Sequence, residues 1–192
     1  MEQLGYYPGC TLETTGREFD MTTRIACQQL GIELVEIPDW NCCGASSAHE
    51  LNNYLAISLA ARNLAIAEQK LALDVVVPCA ACFNRLKVAQ KALLNKAYSE
   101  FVFEGRTKVY DLLRFLAQPR YKKRLRHQVG KSLKGLKAVA YYGCLLTRPP
   151  EVTDHPHPEN PTEMDEILKI LGVDCLFWSY KTDCCGASLT VG

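Results

Sequence analysis

The sequence lacks an excess of charge of either sign: 22 Lys and Arg stand against 21 Asp and Glu, a formal net charge of +1. No chain-wide field is therefore available to attract nucleic acid or an anionic bilayer. Long apolar runs are also missing. Nothing approaches the roughly 20 apolar residues that span a membrane, and a stretch such as Val75-Val76-Val77 has the length of a buried strand. The opening Met1-Glu2-Gln3-Leu4-Gly5-Tyr6-Tyr7 has no basic start, apolar segment or small-residue cleavage site, so no secretory signal is expected. Disorder is excluded by a hydrophobic share of 48% against a charged share of 22%, ordinary values for a folded domain. Without export the expected location is the cytoplasm, where thiols stay reduced.

Against these absences stand ten cysteines in 192 residues. The chain is too long for a small disulfide-stapled scaffold, and clustered cysteines in a reducing compartment point to metal or redox chemistry.

The chain reads as strands alternating with helices. A strand over 4–9 enters a loop at Cys10. A helix over 17–30, with Phe19, Ile25, Ala26 and Leu30 toward one face, stops at Gly31. A strand over 32–37 ends at Pro38. An Ala/Leu-rich helix is expected over about 48–72, opening on the capping box Ser47-Ala48-His49-Glu50. The run 74–77 reads as a strand buried on both faces, followed by helices over 83–96 and 109–117. This alternation predicts an α/β fold with a mainly parallel sheet. Residues 120–137 are basic and read as a solvated connector, with docking on an acidic partner as the second reading. No aromatic residues are spaced along them as platforms for bases.

The chain also repeats itself. Tyr6-Tyr7-Pro8-Gly9-Cys10 matches Tyr141-Tyr142-Gly143-Cys144, and Leu30-Gly31-Ile32-Glu33 matches Leu171-Gly172-Val173-Asp174. Asn41-Cys42-Cys43-Gly44-Ala45-Ser46 matches Asp183-Cys184-Cys185-Gly186-Ala187-Ser188. The first copy continues to Cys79-x-x-Cys82; the second reaches Gly192 without that pair and is expected to be incomplete. The expected organisation is a first domain over 1–105, a helical basic connector over 106–136 and a partial second domain over 137–192.

Each cysteine of the first copy follows an expected strand, so Cys10, Cys42, Cys43, Cys79 and Cys82 should gather at one sheet edge. Helix N-termini there favour thiolates and an anionic core. Structural zinc prefers two Cys-x-x-Cys pairs, a thioredoxin-like site uses only one, and an iron–sulfur cluster best suits an all-thiolate set. Cys27 and Cys175 lie outside the pattern and read as small buried hydrophobes.

The pattern Cys-x31-Cys-Cys-Gly-x34-Cys-x-x-Cys resembles the cysteine-rich CCG domain family. Together, Tyr6-Tyr7-Pro8-Gly9-Cys10 and Asp39-Trp40-Asn41-Cys42-Cys43-Gly44-Ala45 look like the disulfide-reducing, B-type subunits of heterodisulfide reductases. The resemblance implies two Rossmann-like repeats, each holding a non-cubane [4Fe-4S] cluster through five cysteines. It implies an oxidoreductase that cleaves a CoM-S-S-CoB-type disulfide to two thiols. Electrons would come from the ferredoxin-like and flavoprotein subunits of such a complex. Carried over, Cys10, Cys42, Cys43, Cys79 and Cys82 match one cluster's ligands, and Cys144, Cys184 and Cys185 match three of the other's. One complete cluster is then expected, with no disulfide turnover by this chain alone. A different implied role is electron transfer or docking in a quinone-linked or hydroxy-acid-oxidising complex. Arg148, His155 and His157 are substrate-side candidates; the two histidines lie in the Pro-rich stretch Asp154-His155-Pro156-His157-Pro158, which reads as a surface loop or, more sharply, as a loop on the substrate side. Trp40 is read as a shield beside the cysteine pair, and His49 as a packing residue near it.

Overall fold

A computed structural model describes residues 1–45, 48–96, 98 and 100–186, without the side chain of His49. The chain divides into two compact units, Met1–Phe115 and Leu116–Gly192.

The first unit is built on four parallel strands in the order β2-β1-β3-β4: β1 (Glu2–Tyr6), β2 (Ile32–Glu36), β3 (Val75–Val77) and β4 (Val109–Asp111). This confirms the expected α/β class. All three valines of β3 are fully buried. A strand covered on both faces needs such a continuous apolar run, and each valine contributes about 1.5–3 kcal/mol by burial. Two helices connect β1 to β2, α1 (Cys10–Glu13) and α2 (Arg17–Gln29). The face that α2 buries differs from the expected one: Thr23, Cys27 and the following Leu30 are inside, while Phe19 and Ile25 are exposed. Thr23, Cys27 and Leu30 lie four and three residues apart on one helical stripe, and Phe19 and Ile25 fall off it.

The single helix expected over 48–72 is broken. It becomes α3 (Ala48–Leu51), α4 (Asn53–Ile66) and a π-helical turn, Ala67–Leu71. Ser47 of the expected capping box lies outside the described residues; the cap observed is Asn52, whose side chain accepts the Leu55 N–H at 3.1 Å. Alanines 56, 60 and 61 of α4 are buried, and α4 packs against α5 (Ala80–Leu94). The expected helix over 109–117 opens instead as β4, with α6 (Leu112–Leu116) behind it. Val109 and Asp111 are buried against β3, so sheet pairing overrides local helix preference.

The second unit holds α7 (Pro119–Gln128), β5 (Lys137–Ala138), α8 (Cys144–Thr147), α9 (Pro150–Thr153), α10 (Glu163–Ile170) and β6 (Asp174–Cys175). β5 and β6 pair in parallel. Their order repeats that of β1 and β2, with Leu30-Gly31 and Leu171-Gly172 both turning into the following strand and both glycines at positive φ. Among the described residues, no helix is long and apolar enough to cross a membrane.

Candidate functional site

Parallel strands deliver the loops that follow them to one sheet edge. Cys10 opens α1 after β1, Cys42 and Cys43 follow β2, and Cys79 caps α5 after β3, with Cys82 in its first turn. Because β1 lies between β2 and β3, these three loops are neighbours. Cys43 and Cys82 have their sulfurs 3.3 Å apart in the interior, and Cys10 and Cys42 have theirs 3.7 Å apart at the surface. An open cavity of about 510 Å³ adjoins Cys10 and Cys42, bordered by Glu13, Glu36 and Trp40.

Two glycines shape this edge. Gly9 has φ +75°, and a Cβ there would lie 2.7 Å from the Cys82 sulfur. Gly44 also has φ +75°, and its N–H points at the Cys42 sulfur at 3.5 Å. The nearby backbone N–H groups of Ala45 for Cys43, and of Ala81 and Cys82 for Cys79, favour the charged thiolates, while the Cys79 side chain itself makes no capping hydrogen bond to α5. The Cys82 thiol holds its proton between Cys43 and Cys79. Its hydrogen bonds bring both neighbours below the usual thiol range, while its own affinity for the proton rises. Burial raises the Cys42 thiol.

Beneath the cysteine pair, buried Tyr7 donates its hydroxyl to the Asn41 carbonyl at 2.8 Å and meets Trp40 edge-on, ring centres 5.3 Å apart. Asn63 of α4 holds the same residue from both sides, accepting the Asn41 N–H at 2.9 Å and donating to its carbonyl at 2.8 Å. Arg62 bonds the Asp39 carbonyl and carboxylate.

The second unit reproduces the arrangement. Tyr141 donates to the Asp183 carbonyl at 2.7 Å, and the Gly186 N–H points at the Cys184 sulfur at 3.3 Å. Cys144 interacts with Cys184; burial and that neighbour raise its thiol. Both tyrosines stand three residues before the first cysteine of their copy and bond the carbonyl just before the Cys-Cys pair.

The family model for the cysteine-rich domain, CCG, matches residues 4–87 and 138–192. The chain belongs to the CCG cysteine-rich domain family. It is 32% identical to the 8-methylmenaquinol:fumarate reductase membrane anchor subunit of Wolinella succinogenes, over 96% of this chain and 67% of that protein. It is 25% identical to the B-type subunit of the ferredoxin:CoB-CoM heterodisulfide reductase of Methanosarcina mazei, over 97% of this chain and 66% of that protein. A protein of Archaeoglobus profundus, named for its likeness to the same type of heterodisulfide reductase subunit, matches at 25%, over 97% and 67%. The chain spans about two thirds of the length of these curated relatives.

In this CCG chain the first-copy cysteines thus lie along one edge, and Cys144 lies with Cys184 and Cys185 in the second unit. Among the described residues, no three His, Cys, Asp or Glu side chains converge as ligands of one ion; the sulfur–sulfur contacts with distances given above are the pairs Cys43–Cys82 and Cys10–Cys42. The other candidates are placed differently. Arg148 bonds the Thr182 carbonyl at 3.3 Å and pairs with Glu159. His155 is buried, with Nε2 3.5 Å from a Glu163 carboxylate oxygen and Nδ1 accepting the His157 N–H at 3.2 Å. A surface loop does not describe it; only His157 is exposed. Half-buried Trp40 donates to Glu36 at 2.9 Å. The His49 side chain lies outside the described residues. Cys27 is fully buried, as expected of a packing residue, and Cys175 is half-buried with its sulfur 3.7 Å from the Asp165 carbonyl. Sequence reasoning missed the hydroxyls of Tyr7 and Tyr141, although their equal offset from Cys10 and Cys144 was a usable signal.

Proposed function

We propose that this chain is an iron–sulfur redox subunit whose first unit holds a non-cubane [4Fe-4S] cluster through Cys10, Cys42, Cys43, Cys79 and Cys82. Cys144, Cys184 and Cys185 would contribute to a second such site. The observation carrying this reading is the arrival of five cysteines from three parallel-strand loops at one edge, with Cys43 and Cys79 biased toward thiolate. The residues fit the group: the donors are all sulfur, the Gly44 N–H points at Cys42, nearby backbone N–H groups favour the thiolates of Cys43 and Cys79, and Gly9 keeps space beside Cys82. When bound, an iron–sulfur cluster accepts and releases single electrons.

The protein's own residues bind and shield. Tyr7 and Asn63 fix the carbonyl before the cysteine pair, and Trp40 packs over Tyr7. The surface pair Cys10–Cys42 marks the side from which a reactant arrives, through the adjoining cavity. The proposed reaction is disulfide reduction, RSSR′ + 2e⁻ + 2H⁺ → RSH + R′SH. Electrons would be supplied by ferredoxin-like and flavoprotein subunits in a cytoplasmic complex. Arg148 and His157 remain substrate-side candidates.

A second reading, electron transfer in a quinone-linked complex, is favoured by the 32% identical relative named a menaquinol:fumarate reductase membrane anchor subunit. Electron paramagnetic resonance of anaerobically reconstituted protein separates the two. Disulfide reduction predicts a signal altered by one added thiol; a signal altered by a menaquinol analogue and by no thiol supports the second reading.

A further inference from the structure

The redox reading leaves the basic segment of the second unit unused. Residues 119–137 contain eight Lys or Arg and no Asp or Glu, although the whole chain is nearly neutral. In the fold this segment is α7 and the loop entering β5. Lys123, Arg126, Lys131, Lys134 and Lys137 are exposed, and among the described residues they form no ion pair. Lys122 differs, being paired with Glu166 at 2.5 Å.

The loop is held in place. Leu133 N–H donates to the Leu171 carbonyl at 2.8 Å, and the Leu136 carbonyl accepts the Asp174 N–H at 2.8 Å. These bonds fix it where β5 and β6 begin. Cys144, Cys184 and Cys185 follow the ends of the same strands. The loop that carries Lys131 and Lys134 therefore lies toward one end of the parallel pair, and the cysteines toward the other.

Apolar residues are set among the cations. Leu133, Leu136 and Val139 are each more than two-fifths exposed and alternate with Lys131, Lys134 and Lys137. Exposed apolar side chains inside a polar rim match the anatomy of a protein–protein interface, and the single sign of the rim charge selects a partner of opposite sign. A helix that enters a bilayer needs a free apolar face. In α7 that face is spent, because Tyr121 is fully buried and Leu125 half-buried.

We propose that Lys131, Lys134 and Lys137, with Leu133 and Leu136 between them and α7 beside them, dock an acidic surface of a partner protein. The partner's carboxylates meet the lysines while its apolar centre covers the leucines. Docking at the end away from Cys144, Cys184 and Cys185 holds the chain in a complex and leaves the cysteine end open. The inference rests on reading the chain as one member of a multi-protein complex and is independent of what the cysteines bind.

The test is zero-length carbodiimide cross-linking of the complex as purified from cells that make it, followed by peptide mass spectrometry. Such cross-links join lysine amines only to carboxylates in contact. The proposal expects Lys131, Lys134 or Lys137 joined to Asp or Glu of another chain, with the link lost at high salt. The triple variant Lys131→Glu, Lys134→Glu, Lys137→Glu should bind the cross-linked partner about tenfold or more weakly, with an unchanged circular dichroism spectrum. Intermolecular links confined to other lysines, or a triple variant that binds unchanged, would overturn it. So would salt-sensitive binding to phosphatidylglycerol vesicles with no protein cross-link. Iron content measured on the same samples reports on the cysteine edge separately, so failure of one reading is not mistaken for failure of the other.

Discussion

Replacing Gly9 by alanine probes the cysteine edge through a single methyl group. Two costs arise. Alanine at φ +75° sacrifices about 1–2 kcal/mol of backbone energy. Its Cβ would also stand 2.7 Å from the Cys82 sulfur and 3.6 Å from a Tyr7 ring carbon, and overpacking of that kind costs about 1–3 kcal/mol. Gly31→Ala supplies the control: its φ is +74°, with nothing within 4 Å of the new Cβ. The control should lose only the backbone contribution, so Gly9→Ala should be less stable than Gly31→Ala by about 1–3 kcal/mol. Urea unfolding of the apo-protein measures that difference. Anaerobic reconstitution adds a second readout, because a displaced Cys82 should lower iron content in Gly9→Ala and leave it normal in Gly31→Ala. Equal stability losses and equal iron contents would refute the crowding at Cys82.

Three further outcomes are expected. Air or oxidised glutathione acting on the apo-protein should link Cys10 to Cys42 first, since both are exposed and their sulfurs lie 3.7 Å apart; peptide mapping that finds Cys43–Cys82 first contradicts the burial order. Glu68 is a buried carboxylate accepting the N–H groups of Glu104 at 2.5 Å, Arg106 at 2.7 Å and Thr107 at 3.1 Å, so Glu68→Ala should destabilise by about 3 kcal/mol or more, read by urea unfolding. Burial raises the Cys27 thiol from 9.0 to about 11. The neutral thiol's contribution is therefore intact below pH 9 and lost as pH rises toward 11, where Cys27→Val should remove part of the alkaline fall in stability.

The sequence revealed more of the site than of its supports. Strand–helix alternation and the valine run identified the parallel sheet, and the order of strands explains why Cys10, Cys42, Cys43, Cys79 and Cys82 share one edge. Pairing was harder to read. Val109–Asp111 has no helix-breaking residue, and only its seat beside β3 makes it a strand. On α2 the largest apolar side chains were not the buried ones, because the stripe turned inward is that of Thr23, Cys27 and Leu30. The break at Asn52 came from a side-chain cap, a local bond that competes with helix continuation. His155 sat in a Pro-rich stretch that suggested a surface loop, and its burial beside Glu163 depends on a tertiary contact. Tyr7 and Tyr141 were visible as aromatic residues; their bonds to the carbonyls of Asn41 and Asp183 became clear only in three dimensions.

The central claim is that the first-copy cysteines hold an iron–sulfur cluster. Iron and acid-labile sulfide measured on the anaerobically reconstituted chain test it most directly. About four iron and four sulfide per chain are expected, with zinc content near zero. A chain that binds about one zinc and retains neither iron nor sulfide would contradict the account.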